Sequence, residues 1–472
     1  MKFTILLTLA TFYLTLYIFS PISASAQDVN GLLLTVNSGG DAHDADPGDR
    51  LCADAGGQCT LRAAIDETNA NSTRDAVIFS LPQPATIELT LGELLINQNL
   101  DILGPGARRL TVQRSTVAGT PNFRIFRVPQ TQAFVFIRGM TIRNGNDITG
   151  GALFVQEGGF VGLYDSAIIA NRATSGGAIT VFGRLVIHRC LIAGNTADNQ
   201  GGAIINATST SDTLITNTTI TGNSASIAGA IDNIGSLLLV NNTITANAAS
   251  SNISSILSNP LGTIKVLNTI IGRDIGQPGL AISGTFQSAG NNIVTHSTGS
   301  TGFTNAVNGD QVSQSNAIDP MLGPLANNGG QTDTFAPLPG STAIKGGNVC
   351  ARTGQCPLLP GIIVQGGRLD QRRNRRSRIA EKIDVGSLDT DSFSGSSIGS
   401  LGVFGAGQGM ASRYAGSHAY IIHPTTLETR HTLVRLDGSI TFTNLPGADA
   451  YVIEIRAKRS GMTSPLVISF DF

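Results

Sequence analysis

Three charged residues recur at nearly the same place in successive stretches of the chain. Asp147, Arg172 and Asp198 follow Ile142, Ile168 and Ile192 by five, four and six residues. If those stretches stack as rungs about 4.8 Å apart, the three form an acid–base–acid ladder with its aspartates about 10 Å apart. Two carboxylates so placed stand at the outer edge of the spacing at which one acts as general acid and the other as general base on a glycosidic bond. The competing reading is a surface ion ladder, which adds little to stability.

A second group, Asp41, Asp44, Asp46 and Asp49, puts four carboxylates into nine residues. Hard oxygens at that density suit calcium. The order lacks the glycine and distal glutamate of a helix–loop–helix calcium loop, which favours a solvated acidic turn. A third group is basic: Arg368, Arg372, Arg373, Arg375, Arg376 and Arg378. It suits an anion, or else an exposed loop paired with Glu381 and Asp384. With no aromatic residue among the arginines to stack bases, nucleic acid is not an expected partner. His418, His423 and His431 match no zinc spacing and read as ordinary strand and loop residues.

The elements that would carry these groups repeat. Ile142, Ile168, Ile192, Ile220, Ile244 and Ile270 are separated by 26, 24, 28, 24 and 26 residues. Asn171, Asn195, Asn223 and Asn247 each stand three residues after one of them. A small-residue signature follows at Gly150-Gly151-Ala152, Gly176-Gly177-Ala178, Gly201-Gly202-Ala203 and Ala228-Gly229-Ala230. A unit this short cannot bury its own apolar side, so copies must stack. Its Val/Ile/Thr runs are bounded by Gly, Asn and Ser, which indicates strands and tight turns. The expected interior is an isoleucine column, with glycines at corners and asparagines in left-handed turns, bonded to their neighbours in the stack.

Only 13% of the 472 residues are charged, 56 are glycine and none is tryptophan. That suits a turn-rich β protein and excludes helical bundles and coiled coils. The net charge of −1 gives no reason to expect nucleic acid or an anionic membrane. Lys2, the apolar run from Ile5 to Phe19 and Ala24-Ser25-Ala26 read as a secretory signal with its cleavage site. No later stretch is apolar for long enough to span a bilayer, so the mature chain is expected to have no transmembrane helix. Cys52 with Cys59, and Cys350 with Cys356, are expected as two local disulfides closing loops at the two ends of the stack. Cys190 is expected to be a buried free thiol.

Near the N-terminus, Leu61, Ala64, Ile65 and Thr68 mark one face of a short helix with Thr60 as its N-cap. Laid across the first coil, it would cover the core and the unpaired edge strand. The run from Cys52 to Cys59-Thr60-Leu61-Arg62-Ala63-Ala64-Ile65 resembles the "CSLREA" signature of secreted bacterial β-helix proteins, departing at Thr60 and Ala63. The runs Ile318 to Thr332, Pro337 to Ile344, Gly367 to Arg373 and Ile383 to Gly386 are similar to the end region of bacterial choice-of-anchor β-helix proteins. Asp437-Gly438-Ser439-Ile440-Thr441-Phe442-Thr443-Asn444-Leu445-Pro446, among short alternating runs, resembles a carboxypeptidase-regulatory-like (transthyretin-like) domain.

The expected fold is therefore all-β: a right-handed parallel β-helix solenoid with a short N-terminal capping helix, then a small antiparallel β-sandwich. The expected organisation is a signal peptide at 1–26, a cap at 27–75, the β-helix with its end region at 76–389, a linker at 390–400 and the sandwich at 401–472. The resemblance implies a secreted or cell-surface bacterial protein with no established reaction.

Parallel β-helices also include pectin lyases and polysaccharide hydrolases, and fold alone does not decide between these roles. The hydrolase motifs Asn-Thr-Asp, Asp-Asp and Gly-His-Gly are absent, and six tyrosines with no tryptophan weigh against a long carbohydrate cleft. The sequence thus favours a non-enzymatic structural or adhesive protein, with a polysaccharide or cell-surface protein as partner and no cofactor. A polysaccharide lyase or hydrolase is the alternative.

Overall fold

The structure is a computed structural model. It describes residues 31–390, apart from 130–131, 251–252, 273–279, 315–317 and most of 354–381; beyond 390 it describes the backbone of six strands. The expected signal peptide lies outside the described residues.

The chain is a parallel β-helix built from four ladders of strands. One turn of chain visits them in order, as in Phe160–Tyr164, Ala167–Ile169, Arg172–Ser175 and Ile179–Val181, before Arg184–His188 begins the next turn. The first sheet has ten strands, from Leu33–Val36 to Gln287–Ser288. The second also has ten, from Ala85–Leu89 to Gln311–Val312. The third has five, from Asn146–Thr149 to Ala248–Ala249, and the fourth nine, from Leu94–Leu95 to Ser300–Thr301. Neighbouring strands are parallel throughout.

Stacking follows from the repeat. Ile142, Ile168, Ile192, Ile220 and Ile244 are register partners on consecutive rungs, and all are fully buried. Val112 and Ile87 continue the column toward the N-terminus. Truncating one of these isoleucines to alanine removes about 2–5 kcal/mol, because its neighbours are held by their own hydrogen bonds and cannot close the gap.

The column's next member is Ile271, not Ile270. Ile244 registers with Ile271, so that rung is one residue longer than the sequence spacing implied. Because side chains alternate along a strand, Ile270 faces out. It packs instead with Ala343 and Val385.

The small-residue signature makes the corner before the fourth sheet. Gly150, Gly176 and Gly201 have φ of 58°, 63° and 63°, the left-handed region. At Gly177 a Cβ would stand 2.3 Å from the carbonyl oxygen of Gly202, so only glycine fits.

The asparagines do bond along the stack. Asn171 donates from its backbone N–H and its Nδ2 to Asn195 Oδ1, at 2.9 and 3.0 Å. Asn195 does the same to Asn223, and Asn223 to Asn247. Their own backbone is not left-handed, however. The residue before each one, Ala170, Gly194, Gly222 or Ala246, takes that conformation.

At the N-terminus the helix Leu61–Asn69 lies against the first coils, with Thr60 Oγ1 accepting from Ala63 N at 2.9 Å. Leu61, Ala64 and Ile65 enter the core. The Cys52–Cys59 disulfide forms beside it.

The described part of the end region runs back along the corner between the first and second sheets as a strap. The antiparallel hairpin of Leu322–Ala326 with Thr334–Pro337 leads Asp333 to Arg108, back near the start of the solenoid. The Cys350–Cys356 disulfide packs on Val240 and Leu267 of the first sheet, so it staples the flank rather than the end.

Beyond it, Ile398–Val403 pairs antiparallel with Ile440–Leu445, and His418–Ile422 lies between Thr429–Leu433 and Ala450–Arg456, which pairs with Leu466–Asp471. The first of these strands begins inside the expected linker. The side chains of His418, His423 and His431 lie outside the described residues. Among the described residues no helix is long and apolar enough to cross a membrane.

Candidate functional site

The proposed acid–base–acid ladder does not form. Asp147 registers with Ala173, whereas Arg172 registers with Asn146 and Thr196. Adjacent residues of a strand point to opposite faces, so Asp147 and Arg172 are turned away from one another. Arg172 pairs with Asp198 at the surface, both about half exposed. Asp147 instead meets Arg124 at 3.0 Å, and Arg124 also meets Glu93 at 2.9 Å. Glu93 and Asp147 are thus held on either side of one guanidinium. That arrangement ties three rungs together and commits both carboxylates to the one guanidinium.

Only part of the acidic turn is folded onto the capping helix: Asp41 and Asp44 are held there, while Asp46 and Asp49 stay exposed as a solvated turn would have them. Asp41 Oδ1 accepts from Arg62 Nε at 2.8 Å, and its Oδ2 accepts the backbone N–H groups of Thr90 and Leu91. Asp44 is buried and accepts from Asp46 N and Ala53 N. Glu67, on the helix and fully buried, accepts from Gly48 N and Arg50 N, both at 2.6 Å. Among the described residues, Asp44, Asp49 and Glu67 bring one oxygen each within 4.8 Å of one another, a grouping that suits a hard cation. Asp41 and Asp46 are not in it. The glutamate was not legible as part of this group, since it lies 18 residues after Asp49.

The described arginines of the run do not sit in an exposed loop. Arg373, Arg372 and Arg376 are described; Arg368, Arg375 and Arg378 lie outside the described residues. Arg376 is fully buried, on Asp389 at 3.3 Å and Asn217 Oδ1 at 3.0 Å. Arg372 meets Asp370 at 2.7 Å. The Asp384 carboxylate accepts from Lys345 N and Thr390 rather than from an arginine, and Glu381 lies outside the described residues.

Arg373 reaches Asp165, which is 1% exposed and also takes a two-pronged contact from Arg189, at 2.6 and 2.8 Å. Arg138 lies 3.7 Å away. Burial alone would raise the Asp165 carboxyl, but Arg189, Arg373 and Arg138 together hold it well below the usual carboxylate range. Burial, reinforced by Arg189, pushes the neighbouring His188 well below its usual value. Cys190 is a free buried thiol, as expected, and burial pushes it up to about 12. It is therefore no nucleophile at neutral pH.

The surface that sequence reasoning missed is the outer face of the first sheet. Phe134 registers with Phe160, and Phe136 with Gly162. The rings of Phe134 and Phe160 lie 5.5 Å apart, and those of Phe136 and Phe160 5.6 Å apart. Arg74 lies over Phe136, and Arg184 over Phe160. Phe134 to Phe160 is a 26-residue step, the same as Ile142 to Ile168, so the repeat itself carried the signal.

No family model matches the chain, and no curated protein matches its sequence. The crystal structure of pectate lyase Pel9A is similar over 78% of this chain and 99% of that chain, at 12% identity and a TM-score of 0.37.

Proposed function

We propose that this protein is an exported, non-enzymatic β-helix that serves as a rigid scaffold and makes contact with carbohydrate or protein through a lateral face. The observation that carries this reading is how the candidate acids are used. Asp147 and Glu93 share Arg124, Asp198 holds Arg172, and Asp165 lies beneath three arginines. Each carboxylate ties rungs or the strap together. Export is supported by the two disulfides, which persist in oxidising compartments. The capping helix, with Thr60 at its start, fits the resemblance to secreted CSLREA and choice-of-anchor proteins. The C-terminal strands fit a carboxypeptidase-regulatory-like unit, in their antiparallel pairing.

Two measurements test this reading. Fractionated cells should yield the mature chain on the surface or in the medium; retention in the cytosol would contradict export. The purified protein should release no product from a panel of plant and microbial polysaccharides. Turnover abolished by Asp147→Asn or Asp198→Asn would establish the alternative, a polysaccharide lyase or hydrolase.

A further inference from the structure

We propose that the outer face of the first sheet binds a neutral, extended polysaccharide laid along the solenoid axis, one sugar ring to a rung. The inference rests on the contact-scaffold reading and assigns it a site and a ligand class.

The face has two outward columns. The first runs Phe134, Phe160, Arg184, Asp212 on consecutive rungs, and the second Phe136, Gly162, Val186, Leu214. Gly162 is required by the rings. A Cβ there would stand 2.6 Å from both Phe136 and Tyr164, so these aromatics lean into the space the glycine leaves. The third column, Arg138, Tyr164, His188 and Thr216, is buried. The first column stays open, with Phe134 49% exposed.

A large apolar ring left in water on a rigid sheet, next to others on the adjoining rung, marks a contact surface. The flanking charges specify which kind. Arg74 stands beside Asp101 at 2.6 Å, and Arg184 is 3.6 Å from Asp212. The rings thus lie between two ion pairs that each cancel their own charge. The Arg184–Asp212 pair, on the two rungs after Phe160, offers a forked donor and an acceptor to a ligand, whereas Asp101 is only 2% exposed. A pyranose has the complementary pattern, with an apolar C–H face for the phenylalanine rings and edge hydroxyls for the guanidinium and carboxylate. Rungs spaced about 4.8 Å apart come close to the length of one sugar in an extended β-linked chain. A uronate chain would carry one negative charge per ring, and the two arginines that lie over the phenylalanine rings, Arg74 and Arg184, already stand beside carboxylates.

The test uses the full chain and three hexasaccharides: cellohexaose, the helical maltohexaose and the anionic hexagalacturonate. Titration calorimetry should show cellohexaose binding tightest, with an affinity unchanged between about 50 and 500 mM salt. Phe160→Ala should weaken it about tenfold. Phe134→Ala and Arg184→Ala should each weaken it several-fold. The last two residues are exposed enough for their variants to melt with the wild type, so an unfolded Phe160 variant would not obscure the result. Hexagalacturonate binding tighter and falling steeply with salt would overturn the proposal. So would cellohexaose binding indifferent to all three substitutions, or no binding of any hexasaccharide. If cells or an immobilised protein partner retain the wild type and the three variants equally, this face is not the site although the scaffold reading stands. No retention on any glycan, cell or protein surface would sink both.

Discussion

The two corners that flank each second-sheet strand use asparagine in opposite ways. After the strand, Asn171, Asn195, Asn223 and Asn247 are fully or almost fully buried and bond to one another rung by rung. Before it, Asn217, Asn268 and Asn291 take the left-handed backbone themselves, with φ of 48°, 48° and 55°, and meet the strap. Asn217 accepts from Arg376, Asn268 exchanges hydrogen bonds with the backbone of Asn348, and Asn291 donates to Gly346 O. Asp165 and Arg189 occupy the same left-handed position in their rungs. One corner is thus closed by the neighbouring rung alone, the other by its neighbouring rung together with a segment some 50 to 210 residues away in sequence. The first ladder needs only the repeat; the second adds bonds that form only when the strap returns.

The largest effect should come from breaking the strap side at its charged centre. Asp165→Ala leaves Arg138, Arg189 and Arg373 facing one another with little access to water. The loss should be about 3–5 kcal/mol, read from the urea midpoint. Breaking the other corner should cost less. Asn195→Ala removes the acceptor for Asn171 N and Nδ2 and should cost about 1–3 kcal/mol. Hydrogen exchange should then quicken at residues around 171 and 195 while the strap stays protected.

Acid should act in opposite directions on the strap side and on the N-terminal first coil. His188 has a native pKa well below its unfolded value near 6.5, so below that pH only the unfolded chain takes the proton. Stability should therefore fall as pH drops from 7, by at most about 1.4 kcal/mol per pH unit from this group. His188→Gln should flatten that slope. Asp75, raised by burial to about 6, acts with the opposite sign. Between about pH 4 and 6 the native state holds its proton more tightly than the unfolded chain does, so stability from Asp75 rises on acidification. The smallest effect belongs to the exposed surface pair: Arg172→Ala should change stability by no more than about 0.5 kcal/mol.

What the repeat encodes locally was legible. The isoleucine column, the glycine corner, the Thr60 cap and both disulfides follow from short spacings and residue type. The column was misassigned at Ile270, because nothing before register distinguishes Ile270 from Ile271. Asp147 and Arg172 failed for a related reason, since offsets of five and four residues differ by one and one residue reverses a side chain. The strap was illegible. Six arginines in a polar stretch look the same whether they face water or Asp165, and the partner is 208 residues distant. The aromatic face was overlooked because a search for tryptophan and tyrosine passes over phenylalanines, which show their purpose only when counted on the repeat.

One sample can decide between scaffold and enzyme most directly. The full chain is equilibrated with cellohexaose and with hexagalacturonate, the bound fraction is measured, and the oligosaccharides are then resolved by length. The account expects cellohexaose to be bound and both hexamers to be recovered intact. Shorter products that appear with the wild type and vanish with Asp147→Asn or Asp198→Asn would contradict it.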